Sequence, residues 1–132
     1  MSNVPDDLRY TDQHEWVRLE DGTATIGVTD FAQNALGEVT YVELPELGWE
    51  FAQGKEFAVV ESLKAASDVY APVSGRVAAI NDALEAEPNR INADPYGQGW
   101  LCKVSGVDPA ELGALLSPEQ YAELISQEEA QA

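Results

Sequence analysis

Basic side chains are scarce in this sequence: seven Lys and Arg stand against twenty-four Asp and Glu, a formal net charge of −17. Such a surface repels phosphate backbones, which excludes nucleic acid as a partner and points to basic or neutral proteins instead. The deficit is spread, with eight acids against two bases in residues 1 to 40, six against three in 41 to 80 and ten against two in 81 to 132. Cysteine is almost absent. Cys102 alone cannot close an internal disulfide, and its place in "GWLCKVS" reads as a strand, hence as a buried thiol. No apolar run approaches the ~20 residues of a membrane helix. The opening "MSNVPDDLRY" lacks the basic and apolar regions of a secretory leader, so a cytoplasmic protein without a membrane partner is expected.

Histidine is as rare as cysteine. His14 sits near Asp12 and Glu15, which invites an acid–base role. Nothing completes it, for there is no serine elbow, second histidine, Cys-x-x-Cys or phosphate loop. On alternating strand positions His14 and Glu15 would also point to opposite faces. No metal site is expected, and Trp16, Trp49 and Trp100 read as core or rim packing. The expected protein is not an enzyme.

What is present is enough for one folded unit, 132 residues with 45% hydrophobic side chains. "EWVRLE" and "TATIGV" flank Asp21-Gly22, a strong hairpin signal. "TDFAQNALG" predicts a short helix near 30–36, with Thr29 or Asp30 as cap, Phe31, Ala32, Ala35 and Leu36 as its apolar face and Gly37 as its stop. Short strands divided by Gly and Pro continue to about residue 106, interrupted by a loop-rich "NDALEAEPNRINADPYGQG". A small sandwich or barrel over about 8–106 is predicted. Gly37-Glu38-Val39-Thr40-Tyr41-Val42 and Gly75-Arg76-Val77-Ala78-Ala79-Ile80 share one pattern, and each precedes another apolar strand, "EFAVVES" and "WLCKVSG". Two similar half-sheets would produce that echo. Asp108-Pro109 and Ser117-Pro118 open two short helices over about 109–126, after which a tail at 127–132 has little to bury and is expected to fray.

One of only three lysines stands in "VVESLKAASDVYAPVSG". Val59, Leu63, Ala66 and Tyr70 fall at helical spacing, whereas β-branched Val59, Val60 and Val69 flank Lys64 almost symmetrically, as in a hairpin. Local rules leave the two conformations at parity. A nucleophilic lysine is usually desolvated or set beside another cation. The stretch offers neither, so Lys64 reads as a passive acceptor that needs an external enzyme to supply an activated acyl group.

"HEWVRLEDGTATIGVTDFAQNALGEVTYVELPELG", "VVESLKAASDVYAPVSGRV" and "NRINADPYGQGWLCKV", in that order, resemble the H protein of the glycine cleavage system from about Leu8 to Ile125. The resemblance implies a mainly β fold, a flattened barrel or sandwich of two quasi-symmetric halves as in lipoyl and biotinyl carriers, and favours the hairpin. It implies that the whole chain is one lipoyl-carrier domain and that Lys64 bears covalent lipoate, with Glu61, Ser62 and Ala65 as the recognition frame around it. Leu63 and Ala65 stand where a biotin carrier has methionines. The arm would take an aminomethyl group from a pyridoxal-phosphate-dependent glycine decarboxylase to a tetrahydrofolate-dependent aminomethyltransferase and be reoxidised by dihydrolipoyl dehydrogenase. A lipoate ligase or an octanoyl/lipoyl transferase would load it. Glu15 and Asp68 are the implied shields of the loaded arm's ammonium, while Ala35 stands where some members have a histidine. The alternatives are an acidic interaction module without a carrier role, and a relay that passes octanoyl or lipoyl groups to other carriers.

Overall fold

The structure, a computed structural model, describes residues 3–131. Strand β1 (Arg9–Tyr10) leads into β2 (Glu15–Glu20) and β3 (Thr23–Val28), which pair antiparallel from Glu15↔Val28 to Glu20↔Thr23. Their two-residue turn is the predicted one, with φ of 53° at Asp21 and 80° at Gly22, the twist that matches paired strands. Within this pair Trp16 lies opposite Gly27, and a Cβ on Gly27 would stand 2.7 Å from the indole. Only glycine admits the ring there, and Trp16 is fully buried.

Helix α1 (Asp30–Leu36) follows, capped by Thr29 Oγ1, which accepts from Ala32 N at 3.2 Å, and ended by Gly37 at φ 81°. Next come β4 (Val39–Glu43), β5 (Glu50–Phe51), β6 (Glu56–Ser62), β7 (Ala66–Tyr70), β8 (Gly75–Ile80) and β9 (Cys102–Ser105). They form a six-stranded sheet in the order β1-β2-β3-β9-β8-β5 and a three-stranded sheet in the order β4-β6-β7. The fold is the expected sandwich, and the sheets do not close into a barrel. Both faces feed one core around Val17, Ile26, Val60, Val77, Leu101 and Val104. Cys102 is buried in it, which pushes its thiol up to about 12.

The echo is structural. β4 pairs with β6 in one sheet and β8 with β9 in the other, both antiparallel, and the register shifts at corresponding places, between Val39 and Tyr41 and between Val77 and Ala79. A bulge recurring at the same point of two related strands bends both sheets alike.

The rest departs from expectation in three ways. The loop-rich stretch contains two single-turn helices, α2 (Ala83–Ala86) and α3 (Arg90–Ala93). The first C-terminal helix is a 3-10 helix, η1 (Pro109–Ala114), whose Glu111 accepts from Ser74 N and Oγ, both at 2.7 Å. Helix α4 (Pro118–Gln131) does not stop near 126 but continues through most of the stretch expected to fray. Its start is a reciprocal capping box, Ser117 Oγ accepting from Gln120 N and Gln120 Oε1 from Ser117 N. Tyr121 and Ile125 then close a second core with Leu8, Tyr10 and Trp16, in which Tyr10 and Tyr121 stack 4.5 Å apart. Among the described residues no helix is long and apolar enough to cross a membrane.

Candidate functional site

Lys64 stands at the tip of the β6–β7 hairpin. Register runs from Glu56↔Tyr70 to Glu61↔Ala66, and Ser62 N donates to Ala65 O at 2.8 Å, so Leu63 and Lys64 cross the end. Among the described residues only His14 and Asp21 combine a side chain with positive φ. Every residue of the tip therefore has negative φ, which excludes the I′, II′ and II turns and accounts for the missing Asn-Gly or Asp-Gly marker. Tertiary packing, not turn chemistry, makes this hairpin. Val60 and Val69 are buried under it, while Lys64 and Ala65 are exposed and Leu63 is 92% exposed.

The lysine side chain does not extend freely into solvent. It lies back over the end of α1, where a Cβ on Gly37 would stand 3.5 Å from Lys64 Cε and 3.9 Å from Nζ. Beside it opens a cleft of about 250 Å³ between α1 and β7. Phe31, Ala32, Ala35 and Leu36 line one wall, Val28, Val60 and Val69 the floor, and Ala65 through Asp68 the other wall. The apolar face read from the helix spacing is thus only partly used by the core; the remainder faces an open groove, the usual makeup of a ligand site.

Glu15 and His14 close the far end of that groove. Glu15 is 2% exposed. Its carboxylate accepts from Thr11 Oγ1 at 2.5 Å and from Tyr70 N at 3.0 Å. Burial nevertheless outweighs these bonds and raises its pKa from 4.5 to about 7. His14 corrects the expectation of opposite faces. It precedes β2 with φ 70°, which turns its ring to the same cleft as Glu15. The ring packs on Phe31, 4.6 Å between centroids, and Nδ1 bonds to Tyr121 Oη at 2.8 Å. Its Nε2 lies 3.1 Å from Glu128 Oε2, near enough for an ion pair but outside hydrogen-bond geometry. Sequence reasoning missed this wall-forming role because no local pattern forecasts a left-handed His14.

Of the site residues expected from the sequence, the fold sets Ala65 and Asp68 along one wall of the groove with Glu15 in its lining, and leaves Lys64 exposed beside it, over Gly37. Ser62 holds the tip through its backbone, and Glu61 lies one pair below it, opposite Tyr41 and Ala66. An apolar groove running from a tip lysine toward two carboxylates suits a long hydrocarbon arm with a cationic end.

The sequence profile described as Glycine cleavage H-protein matches residues 8–128. The chain belongs to the glycine cleavage H-protein family. A glycine cleavage system H protein of Psychrobacter sp. (strain PRwf-1) is 57% identical over 122 residues, 92% of this chain and 97% of the relative. That of Alcanivorax borkumensis is 53% identical over 97% of this chain and all of the relative. Among solved structures, a glycine cleavage system H protein from Mycobacterium marinum superposes with a TM-score of 0.85 at 37% identity, covering 93% of this chain and 99% of its own. Family membership carries the hairpin and the two-sheet sandwich together, since the solved relative shares the fold nearly end to end.

Proposed function

We propose that the chain is a non-catalytic carrier of the glycine cleavage system whose Lys64 is joined by an amide to lipoate. The observation that carries this reading is the position of Lys64, exposed at a hairpin tip next to an apolar groove whose lining includes its neighbour Ala65 and the carboxylates of Glu15 and Asp68. The residues fit the group: Phe31, Ala32, Leu36 and Val60 offer an apolar bed, and Glu15 and Asp68 offer acceptors for an ammonium.

When bound, the lipoyl group supplies a disulfide that takes up an aminomethyl group and is regenerated by reoxidation after delivery. The chain's own residues do the rest. The groove keeps water from the arm, and the tip, framed by Glu61, Ser62 and Ala65, enters partner pockets without bulk. Burial raises the pKa of Glu15 to about 7, and a cation in the groove would lower it again and favour the carboxylate that serves as its counter-charge. The partners are glycine decarboxylase, aminomethyltransferase, dihydrolipoyl dehydrogenase and a lipoate ligase or octanoyl/lipoyl transferase. The β-body and C-terminal helices act as one carrier domain.

Intact-mass measurement of protein from a lipoate-competent host is expected to show a lipoyl adduct that is absent from Lys64→Arg. Wild-type protein that stays unmodified and is not a substrate for a lipoate ligase would refute the proposal.

A further inference from the structure

Asn92 is far from Lys64 in sequence, on the single-turn helix α3, and no expectation assigned it a role. Its amide is fully engaged with one short stretch of chain. Oδ1 accepts from Val39 N at 2.8 Å, and Nδ2 donates to Gly37 O at 2.8 Å and to Gln33 Oε1 at 2.9 Å. These bonds fix the link between α1 and β4, whose turn requires Gly37 at φ 81°. The same glycine is the surface on which the Lys64 stem rests, 3.5 Å from Cε to the place its Cβ would occupy. Leu36, the neighbour of Gly37, lines the groove.

We infer that Asn92 is a positioning residue for the carrier arm: by clamping Gly37 through Val39 it builds the seat on which the end of the Lys64 side chain rests, beside the groove. Without the clamp Gly37 O and Val39 N have no other side-chain partner among the described residues, and both the seat and the direction of the stem loosen. Asn92→Asp is the sharpest substitution. It keeps the size and the bond from Val39 N, but places a carboxylate oxygen where Nδ2 donated to Gly37 O and Gln33 Oε1. Asn92→Ala removes all three bonds.

The inference rests on the carrier reading for its consequence but not for its geometry, so two measurements separate them. In the unmodified protein, a nuclear Overhauser contact between Lys64 Hε and Gly37 Hα is expected in wild type and lost in both variants. In lipoylated protein loaded by glycine decarboxylase and then freed of it, intact mass follows the loss of the aminomethyl group to water, which leaves the thiol, formaldehyde and ammonium. That loss is expected to be about fivefold faster in the variants, the change one hydrogen bond of ordinary net strength makes. It should equal wild type once all are unfolded in guanidinium. A folded Asn92→Asp or Asn92→Ala protein that keeps the contact and the wild-type lifetime overturns the inference. Wild type that shows the contact but never takes lipoate overturns the carrier reading and leaves the seat standing.

Discussion

Glu15 combines near-complete burial with only two donors, Thr11 Oγ1 and Tyr70 N, and its raised pKa has a definite sign in stability. In the unfolded chain its carboxyl ionises near 4.5, in the folded one near 7. Below pH 4.5 both states are protonated and there is no penalty; between 4.5 and 7 the folded state binds the extra proton, so stability falls as pH rises; above 7 the penalty is constant. The total is about 3–4 kcal/mol, at ~1.4 kcal/mol per pKa unit over a shift from 4.5 to about 7. Urea titrations at several pH values should show wild type losing about that much relative to Glu15→Gln between pH 4.5 and 7. A difference independent of pH would mean that the carboxyl titrates normally.

Helix α4 has a favourable acid, Glu119, in its first turn but no base in its last, and it matters most for where its side chains end. Tyr121 Oη joins Thr29 Oγ1 at 2.7 Å, the cap of α1, to His14 Nδ1 at 2.8 Å, the end wall of the groove. One hydroxyl thus ties three elements. Burial pushes its pKa upward, so it remains a neutral donor and acceptor through the physiological range. Tyr121→Phe keeps the stacking on Tyr10 but leaves the buried Thr29 hydroxyl and the half-buried His14 ring short of a partner. A cost of about 1–2 kcal/mol is expected in chemical unfolding. Tyr121→Leu should cost more, because the stacked ring at 4.5 Å is lost as well.

At the scale of the whole molecule the dominant property is charge, −17 over 132 residues and spread along the chain. A carrier must meet several enzymes briefly, and long-range attraction raises encounter rates more than it lengthens residence. Raising salt from about 20 mM to about 0.2 M shortens the screening length severalfold. The KM of aminomethyltransferase for the loaded protein is therefore expected to rise about tenfold, with kcat little changed. A salt-independent KM would place recognition in the tip alone.

Much of this protein was legible before any coordinates. Asp21-Gly22 specified its turn, Thr29 and Gly37 bounded α1, the echo at Gly37 and Gly75 announced two related strand pairs, and the three sequence blocks pointed to the family. Those signals are local, or periodic over a few residues, and backbone propensity and burial act at that range. The conformation at Lys64 was not local. Its turn has no marker residue, and a hairpin wins because Val60 and Val69 are buried beneath it by the opposite sheet. The groove wall at His14, the tie through Tyr121 and the clamp of Asn92 on Gly37 each join residues whose separation in sequence carries no pattern. The sequence by itself determined the strand units, the first helix and the identity of the exposed lysine, because each depends on neighbours in the chain. Only the tertiary structure decided what that lysine rests on and which carboxyls line the groove beside it, because both depend on which surfaces the two sheets and the helices bring into contact.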